Sequence, residues 1–151
     1  MYFPLFLDLS QYEILVVGAG QIARRRVRAI LGFAGHITVV APRIMEEFLP
    51  PDDVPAKVTF LQRCYEDQDL ENKDLVIAAT DDARLNSHIS ECCRRKGILV
   101  NVCTGIKDCD FLFPSVVETG SVVIGVNASG QDHSLVKTTR RQIEDLLGVE
   151  D

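Results

Sequence analysis

Residues 13–23 read Glu-Ile-Leu-Val-Val-Gly-Ala-Gly-Gln-Ile-Ala, and this stretch decides the fold of the chain. Residues 14–17 form a short, unbroken apolar run, which is typical of a strand buried on both faces of a parallel sheet. Gly18 permits a tight turn after the strand, Gly20 lets a pyrophosphate approach the backbone, and Ala23 lets a helix pack closely on the sheet. The pattern predicts a strand, a glycine turn and a helix whose N-terminus suits a phosphate group.

The residues after this turn complete a strand-helix-strand unit. One face of the predicted helix is apolar, and its members are Ala23, Val27, Ile30, Leu31 and Ala34. Gly35 is placed to end the helix, and residues 36–40 form the second strand. A glycine motif by itself is weak evidence, because glycine turns also close ordinary hairpins. With both strands and the helix present, the pattern favours binding of a dinucleotide over a purely structural turn.

The end of the second strand bears on which dinucleotide fits. An acidic residue usually stands there to bind the ribose 2′-hydroxyl of NAD, but this sequence has Ala41-Pro42-Arg43. Because no carboxylate would repel it, the 2′-phosphate of NADP also fits. Arg43 is suited to pair with that phosphate, and a solvated loop cation explains the residue equally well.

The composition bounds the class of protein. The 151 residues suffice for one domain with at most a short appendage, and 46% of them are hydrophobic and 25% charged. The net charge of −6 argues against a nucleic-acid partner, because binding phosphates needs a basic surface. Arginines at positions 24–26 and 28 are the exception, and a solvated helix face is favoured for them over an anion site.

The first residues, the apolar runs and the cysteines indicate the cellular compartment of the protein. Residues 1–10 lack the features of a signal peptide, and no apolar run is long enough to span a membrane. The five cysteines include no CxxC pair, which favours a reducing compartment over a disulfide framework. A metal site built on Cys103 and Cys109 is an alternative, but free thiols are favoured and no metal is predicted. The expectation is a soluble, cytoplasmic protein.

The rest of the chain divides into two parts. Further strands and a helix are predicted at residues 57–61, 75–79, 83–96 and 98–102, with a helical turn at 43–49 and an acidic connector at 67–73. After a polar loop, two β-rich runs at residues 111–118 and 121–127 are joined by a hairpin signal at 119–120, and a helix at 135–147 follows. The predicted fold is α/β, a Rossmann-like doubly wound parallel sheet followed by a β-hairpin and a C-terminal helix. We expect an NAD-binding domain at residues 1–105, and a hairpin-plus-helix element at 106–151 for dimerisation and the substrate side.

The end of the fourth predicted strand, Thr80-Asp81-Asp82, is a second candidate for ligand contact. Ligands in open parallel sheets gather beyond the carboxyl ends of the strands, where Thr80 can donate a hydrogen bond. Asp81 or Asp82 can cap the next helix, and at least one of the two is expected to do only that.

Several motifs, in their order and spacing, resemble one known family. They are Phe3-Pro4-Leu5-Phe6 with Asp8-Leu9, Val16-Val17-Gly18-Ala19-Gly20 with Ala23 and Arg26, Val39-Val40-Ala41-Pro42, Ala78-Ala79-Thr80-Asp81-Asp82 with Asn86, Val100-Asn101-Val102, and Cys109-Asp110-Phe111 with Phe113-Pro114. The sequence resembles the precorrin-2 dehydrogenases of siroheme synthesis, which include the N-terminal module of multifunctional siroheme synthases. The similarity covers nearly the whole chain.

This resemblance implies an NAD-dependent oxidation of precorrin-2 to sirohydrochlorin in a homodimer, with the tetrapyrrole beside the nicotinamide. It implies that Gln21 and Ile22 meet the pyrophosphate through backbone groups and that Pro42 and Arg43 flank the adenosine. The nicotinamide ribose would be bordered by three residues, Ala79, Thr80 and Asp81. The same resemblance places four residues on the substrate side, Asn101, Thr104, Ser129 and Gly130.

Two departures from the family pattern bear on activity. The family has an aspartate as its leading acid/base and chelation candidate where this chain has Thr104, which cannot take up that proton. Asp108 and Asp110 are the candidates to replace it as the catalytic residue, with a structural role as the alternative for Asp110, which belongs to a separate match to the family. Dehydrogenation without iron insertion is expected. The tetrapyrrole loop, at residues 127–133, lacks a glycine, a lysine and a proline of the family pattern. The alternative is a catalytically altered nucleotide- or tetrapyrrole-binding module that acts as a sensor, carrier or partner subunit.

Overall fold

The computed structural model describes residues 2–44, 48 and 57–149. Within these residues the chain forms two compact units, Leu7–Phe111 and the combination of Met1–Phe6 with Leu112–Asp151. Most of the helical turn predicted at residues 43–49 lies outside the described residues. No helix in the described part of the chain combines the length and apolarity that crossing a membrane requires.

The larger unit is built on a parallel sheet. Its described strands are β1 (Glu13–Val17), β2 (His36–Val40), β3 (Lys57–Leu61), β4 (Leu75–Ala78) and β5 (Leu99–Val102). They lie in the order β3-β2-β1-β4-β5, and all neighbouring pairs are parallel. This is the strand order expected of a doubly wound dinucleotide-binding sheet, so the predicted fold class is confirmed.

The strands at the centre of the sheet are buried on both faces. Leu15 and Val17 of β1 belong to a core cluster with Ile89 and Cys93 of helix α2 (Ala83–Lys96). Side chains alternate along a strand, so the equally buried residues at 14 and 16 point to the opposite face. This two-sided burial explains why β1 is a continuous apolar run rather than an alternating one.

Helix α1 (Gln21–Ile30) is shorter than predicted. The sequence analysis ended the helix at Gly35, whereas the backbone N–H groups of Phe33 and Ala34 both bond to the carbonyl of Ile30 and tighten the chain into a turn. Gly35 has a different role, because a Cβ atom there would lie 3.0 Å from the carbonyl carbon of Ser10. The apolar face that was predicted for the helix is nevertheless buried along its whole length.

The smaller unit contains an antiparallel hairpin and the last helix. Strands β6 (Ser115–Thr119) and β7 (Val122–Val126) pair with Thr119 opposite Val122, and Gly120 opens the two-residue turn with a φ of 55°. Helix α3 (His133–Leu147) begins at the cap residue Asp132, whose side chain accepts a hydrogen bond from Leu135 N–H. None of the described residues of α3 is buried, and Leu146 is 85% exposed.

Candidate active site

The carboxyl ends of the five described strands lie at one edge of the sheet. Chain order reverses between β1 and β4, because the chain proceeds outward from β1 to β3 and then crosses back to β4. In open α/β sheets the crevice at such a switch point is where ligands bind. Gly18 follows β1 at this point, and Ala79 follows β4.

Gly18 is fixed by the packing of the protein itself. Its φ is +107°, a conformation that side chains oppose, and its N–H donates to the Val40 carbonyl at 2.8 Å. The N–H of Ala79 donates to the Val17 carbonyl at 2.8 Å. These bonds hold the ends of β1, β2 and β4 together and leave no room for a Cβ atom at position 18.

Gly20 has a different environment. Its φ of −81° suits any residue, and a Cβ atom built on it would have no neighbour within 4 Å. Neither the backbone nor the packing therefore calls for glycine here. The open space lies directly in front of the first turn of α1, where a side chain would obstruct an approaching ligand. This is the cradle expected for a pyrophosphate.

The two helices that start at this edge differ at their N-termini. Helix α1 has no side-chain cap on Gly20 and no acidic residue in its first turn. Helix α2 is capped by Asp82, whose Oδ1 accepts hydrogen bonds from Arg84 N–H at 2.9 Å and Leu85 N–H at 3.2 Å. The positive end of α2 is thus neutralised internally, whereas that of α1 faces the opening with its own backbone donors.

Thr80 is held by a buried amide. The Asn86 side chain accepts the Thr80 hydroxyl at 2.7 Å and the Thr80 N–H at 3.2 Å, and it donates to the Thr80 carbonyl at 3.0 Å. Asn86 is fully buried in α2. The hydroxyl proton that was predicted to reach a ligand is therefore directed at Asn86. The neighbouring Asp81 is exposed at the crevice, and Ala79 is buried beneath it.

The end of β2 leaves two of the predicted cofactor residues open to solvent. Ala41 is buried and its N–H donates to the Leu61 carbonyl at 3.2 Å, whereas Pro42 and Arg43 are exposed. Position 43 thus offers a cation at the place where dinucleotide-binding folds often have a carboxylate.

At the end of β5, two of the predicted site residues make hydrogen bonds to backbone groups. Asn101, predicted on the substrate side, is 3% exposed, and its amide donates to the Phe111 carbonyl at 2.8 Å. Asp110, the catalytic candidate, accepts Val100 N–H at 2.9 Å through its carboxylate, while its own N–H donates to the Val100 carbonyl at 2.8 Å. Both side chains hold the loop after β5 in place, and one oxygen of the exposed Asp110 carboxylate is bonded to the strand.

Arg26 is not part of a solvated helix face. The residue is half-buried and contacts the Cys103 thiol, which follows β5. Burial raises the pKa of the Cys103 thiol, and the Arg26 guanidinium opposes that shift. Burial likewise lowers the pKa of Arg26, and Cys103 opposes it. The adjacent Cys109 exchanges hydrogen bonds with the backbone of Val102, at 3.1 Å to its N–H and 3.2 Å to its carbonyl.

The structure brings together most, but not all, of the predicted site. The residues at the shared edge of the larger unit are Gly18, Gly20, Gln21, Ile22, Ala23, Pro42, Arg43, Ala79, Thr80 and Asp81. Ala23 is buried against the sheet, and Gln21 and Ile22 are exposed on the first turn of α1. Thr104 is exposed in the loop after β5. Ser129 and Gly130 belong to the smaller unit, where both have positive φ values in a turn after β7.

Asn86 is the site residue that the sequence analysis did not assign a role. Its signal was present, because an asparagine stands on the face of α2 that also carries Ile89 and Cys93. A buried polar side chain in such a position needs hydrogen-bond partners, and the turn after β4 supplies them.

Comparison with known proteins gives one family and a set of relatives. The family model described as "Putative NAD(P)-binding" matches residues 5–115. A Ruminiclostridium josui protein named "Probable multifunctional siroheme biosynthesis protein HemA" is 39% identical over 142 residues, which are 93% of this chain and 27% of that protein. The siroheme synthase of Nitrosospira multiformis is 35% identical over 149 residues, covering 97% of this chain and 32% of the enzyme. The chain therefore spans less than a third of these relatives.

A solved structure, that of SirC, precorrin-2 dehydrogenase, resembles the chain in fold. The TM-score is 0.75 at 23% sequence identity, and the match covers 96% of this chain and 71% of that one. At this identity the similarity establishes a shared fold.

Proposed function

We propose that this chain oxidises precorrin-2 to sirohydrochlorin with NAD as hydride acceptor. The chain belongs to the NAD(P)-binding family of the siroheme synthase N-terminal modules. The resemblance inferred from the sequence motifs is confirmed by these matches. The substrate and the reaction are carried over from the names of relatives that this chain covers only in part, so they form the proposal.

The observation that carries the proposal is the open space at Gly20 beside the uncapped start of α1. At Gly18 the protein's own packing requires glycine, because backbone atoms of Ala79 fill the space that a Cβ atom would take. Gly20 has no such requirement, and a dinucleotide pyrophosphate explains both the missing side chain and the missing cap. The residues present therefore fit a nicotinamide dinucleotide.

The work left to the chain is mostly binding and orientation. The bound cofactor supplies the chemistry by accepting a hydride, and the protein has to place the substrate against it. The first turn of α1 would hold the diphosphate, and the Thr80 turn, fixed by Asn86, would border the ribose next to the nicotinamide. Since Asp110 is bonded to Val100 and Thr104 is no base, we propose that the accompanying proton leaves to solvent.

The exposed Arg43 extends the proposal to NADP. The sequence Ala41-Pro42-Arg43 at the end of β2 contains a cation and no carboxylate, which favours attraction of a 2′-phosphate over repulsion. We propose NAD as the working cofactor and measurable affinity for NADP.

The proposal includes a homodimer in the cytoplasm. Several large apolar side chains of the smaller unit are exposed. They are Phe3, Leu5, Phe6, Val122, Leu135 and Leu146. A second copy of the chain is the proposed cover, tested by light scattering of the purified protein. The five cysteines are all free thiols, which suits a reducing compartment.

The experiment is anaerobic mixing of the protein with precorrin-2 and NAD, followed by absorbance for sirohydrochlorin. Gly20→Ala and Gly32→Ala form a matched pair, since a Cβ atom has no neighbour within 4 Å at either position. We expect Gly20→Ala to weaken NAD binding by about tenfold or more, because that atom enters the cradle. Gly32→Ala should bind as the parent does. Equal affinities in the two variants would refute the assignment of the cradle.

A second candidate function rests on the state of Asp110 and position 104. The Asp110 carboxylate is bonded to Val100, and Thr104 stands where the family has an aspartate. These two features suit a module that binds nucleotide or tetrapyrrole without turnover. NAD binding that Gly20→Ala weakens, combined with no sirohydrochlorin formation, would support this module over the enzyme.

A further inference from the structure

Three potential metal ligands converge on the side of the larger unit formed by α2 and the 3-10 helix Asp67–Leu70. Asp67 Oδ1 lies 2.9 Å from His88 Nε2, and Cys92 Sγ lies 3.6 Å from the same nitrogen. His88 and Cys92 are four residues apart on α2, so they lie on one face of that helix. The ligand atoms of all three residues are within 4.8 Å of one another.

This arrangement is not that of a nucleophile with its base. In a cysteine or serine triad, the histidine uses one ring nitrogen for the nucleophile and the other for the carboxylate. Here both Cys92 Sγ and Asp67 Oδ1 approach Nε2. The three ligand atoms therefore form a cluster rather than a chain of hydrogen bonds, and a metal ion requires such a cluster.

Two of the three separations between ligand atoms suit zinc. With bonds of about 2.0 Å to nitrogen or oxygen and about 2.3 Å to sulfur, tetrahedral ligand atoms are roughly 3.3–3.6 Å apart. The Cys92–His88 separation already falls there, and the Asp67–His88 separation needs a few tenths of an ångström of widening. Both Asp67 and His88 have exposed side chains, at 59% and 48%, so they can adjust.

The surroundings provide an entry path and a further polar contact to the sulfur. A surface depression of about 250 Å³ is lined by Asp67, Cys92, Glu71 and Arg95, among others. Cys92 is only 4% exposed, and the open depression leaves room for water as a fourth ligand. Arg95 Nη2 donates a hydrogen bond to Cys92 Sγ at 2.9 Å, so the sulfur already acts as an acceptor for a polar group beside the depression.

We propose that Asp67, His88 and Cys92 form a binding site for a thiophilic divalent cation of the zinc class, separate from the nucleotide crevice. On binding, a metal–sulfur bond forms at Cys92 and its thiol proton passes to solvent. The metal would link the 3-10 helix to α2. Because no nucleotide-binding residue belongs to the site, the proposal is independent of the dehydrogenase reaction.

The test titrates the full chain with zinc chloride by calorimetry, and with cobalt chloride to detect thiolate-to-metal charge-transfer absorption. His88→Gln is compared with His133→Gln, and Cys92→Ser with Cys64→Ser, since His133 and Cys64 are exposed elsewhere. We expect the first member of each pair to bind zinc at least about tenfold more weakly and the second to bind normally. The charge-transfer band should disappear only in Cys92→Ser.

His88 is exposed, so His88→Gln is expected to fold even if replacement of the buried Cys92 perturbs the core. No zinc binding by the parent chain, or equal binding by His88→Gln and His133→Gln, would overturn the proposal. In that case the three residues form only an exposed hydrogen-bonded contact between two helices. NAD affinity, measured on the same variants, should be unchanged, which separates this outcome from a failure of the proposed function.

Discussion

A Cβ atom on Gly18 would lie 2.8 Å from the carbonyl carbon of Ala79, so the turn after β1 and the turn after β4 are in backbone contact. Gly18→Ala must move one of these turns and must also hold alanine at a φ of +107°. We expect the free energy of unfolding to fall by about 2–4 kcal/mol. Gly20→Ala, which meets no atom, should cost about 1 kcal/mol or less. Urea denaturation of both variants measures the difference, and equal losses would contradict this account of the two glycines.

Asn86 is expected to be the main support of the Thr80 turn. Asn86→Ala leaves the Thr80 N–H and carbonyl without their partner in a largely buried place, which should lower the free energy of unfolding by about 1–3 kcal/mol. NAD affinity should fall as the turn loosens. Ser87→Ala, at the exposed neighbouring position, serves as the control and should change stability by less than about 0.5 kcal/mol. A stable Asn86→Ala with unaltered NAD affinity would argue against this role.

The adjacent aspartates after β4 should behave differently. Asp82 caps α2 through two hydrogen bonds, so Asp82→Ala is expected to cost about 0.5–2 kcal/mol of stability. Asp81 is exposed and makes no cap, so Asp81→Ala should leave thermal denaturation almost unchanged. Similar melting temperatures for the two variants would show that the cap is not needed.

The hydrogen-bonded carboxyl of Asp69 should make the free energy of unfolding depend on pH. Hydrogen bonds from Arg63, one of them at 2.9 Å, hold the pKa of the Asp69 carboxyl below its usual range. A carboxyl whose pKa is lower in the folded state stabilises the protein above the pKa of the unfolded chain, about 3.9, and this contribution is lost as pH falls through the lower folded value.

Asp69→Asn should therefore lower the free energy of unfolding by about 1–3 kcal/mol at pH 7, and the difference from the parent should shrink below about pH 4. Urea denaturation at several pH values gives the comparison. The exposed Asp81→Asn is the control and should parallel the parent at every pH. A constant difference between Asp69→Asn and the parent down to pH 3 would exclude the ion pair as its cause.

Much of the sheet could be predicted because its signals are local. The ranges of β2, β3 and α2 were predicted to the residue, since apolar runs, a capping aspartate and Gly97 in the left-handed conformation mark their bounds. The first hairpin strand was predicted from residue 111 but begins at Ser115, after Pro114, which lacks the N–H that a paired strand uses. The hairpin turn likewise lies at residues 120–121, one position later than predicted.

In the candidate site too, features with a local sequence signal could be predicted and those without one could not. The glycine turn was predictable because its spacing expresses a backbone requirement that holds wherever a strand leads into a phosphate-binding helix. The roles of Asn101 and Asp110 were not, because each depends on a partner ten residues away and on how the loop folds back. Residue types suited to proton transfer are equally suited to binding backbone groups, and only the folded structure distinguishes the two uses.

The segment at Cys109 and Asp110 has a consequence for the outermost strand. Val100 and Val102 are the two residues of β5 whose N–H and carbonyl groups point away from β4, and both exchange hydrogen bonds with this segment. An unprotected border of that kind would be a template for strands of other molecules, the usual start of β-type aggregation. Here the loop bonds to every outward-pointing backbone group of β5, so a strand from another molecule cannot pair with this edge of the sheet.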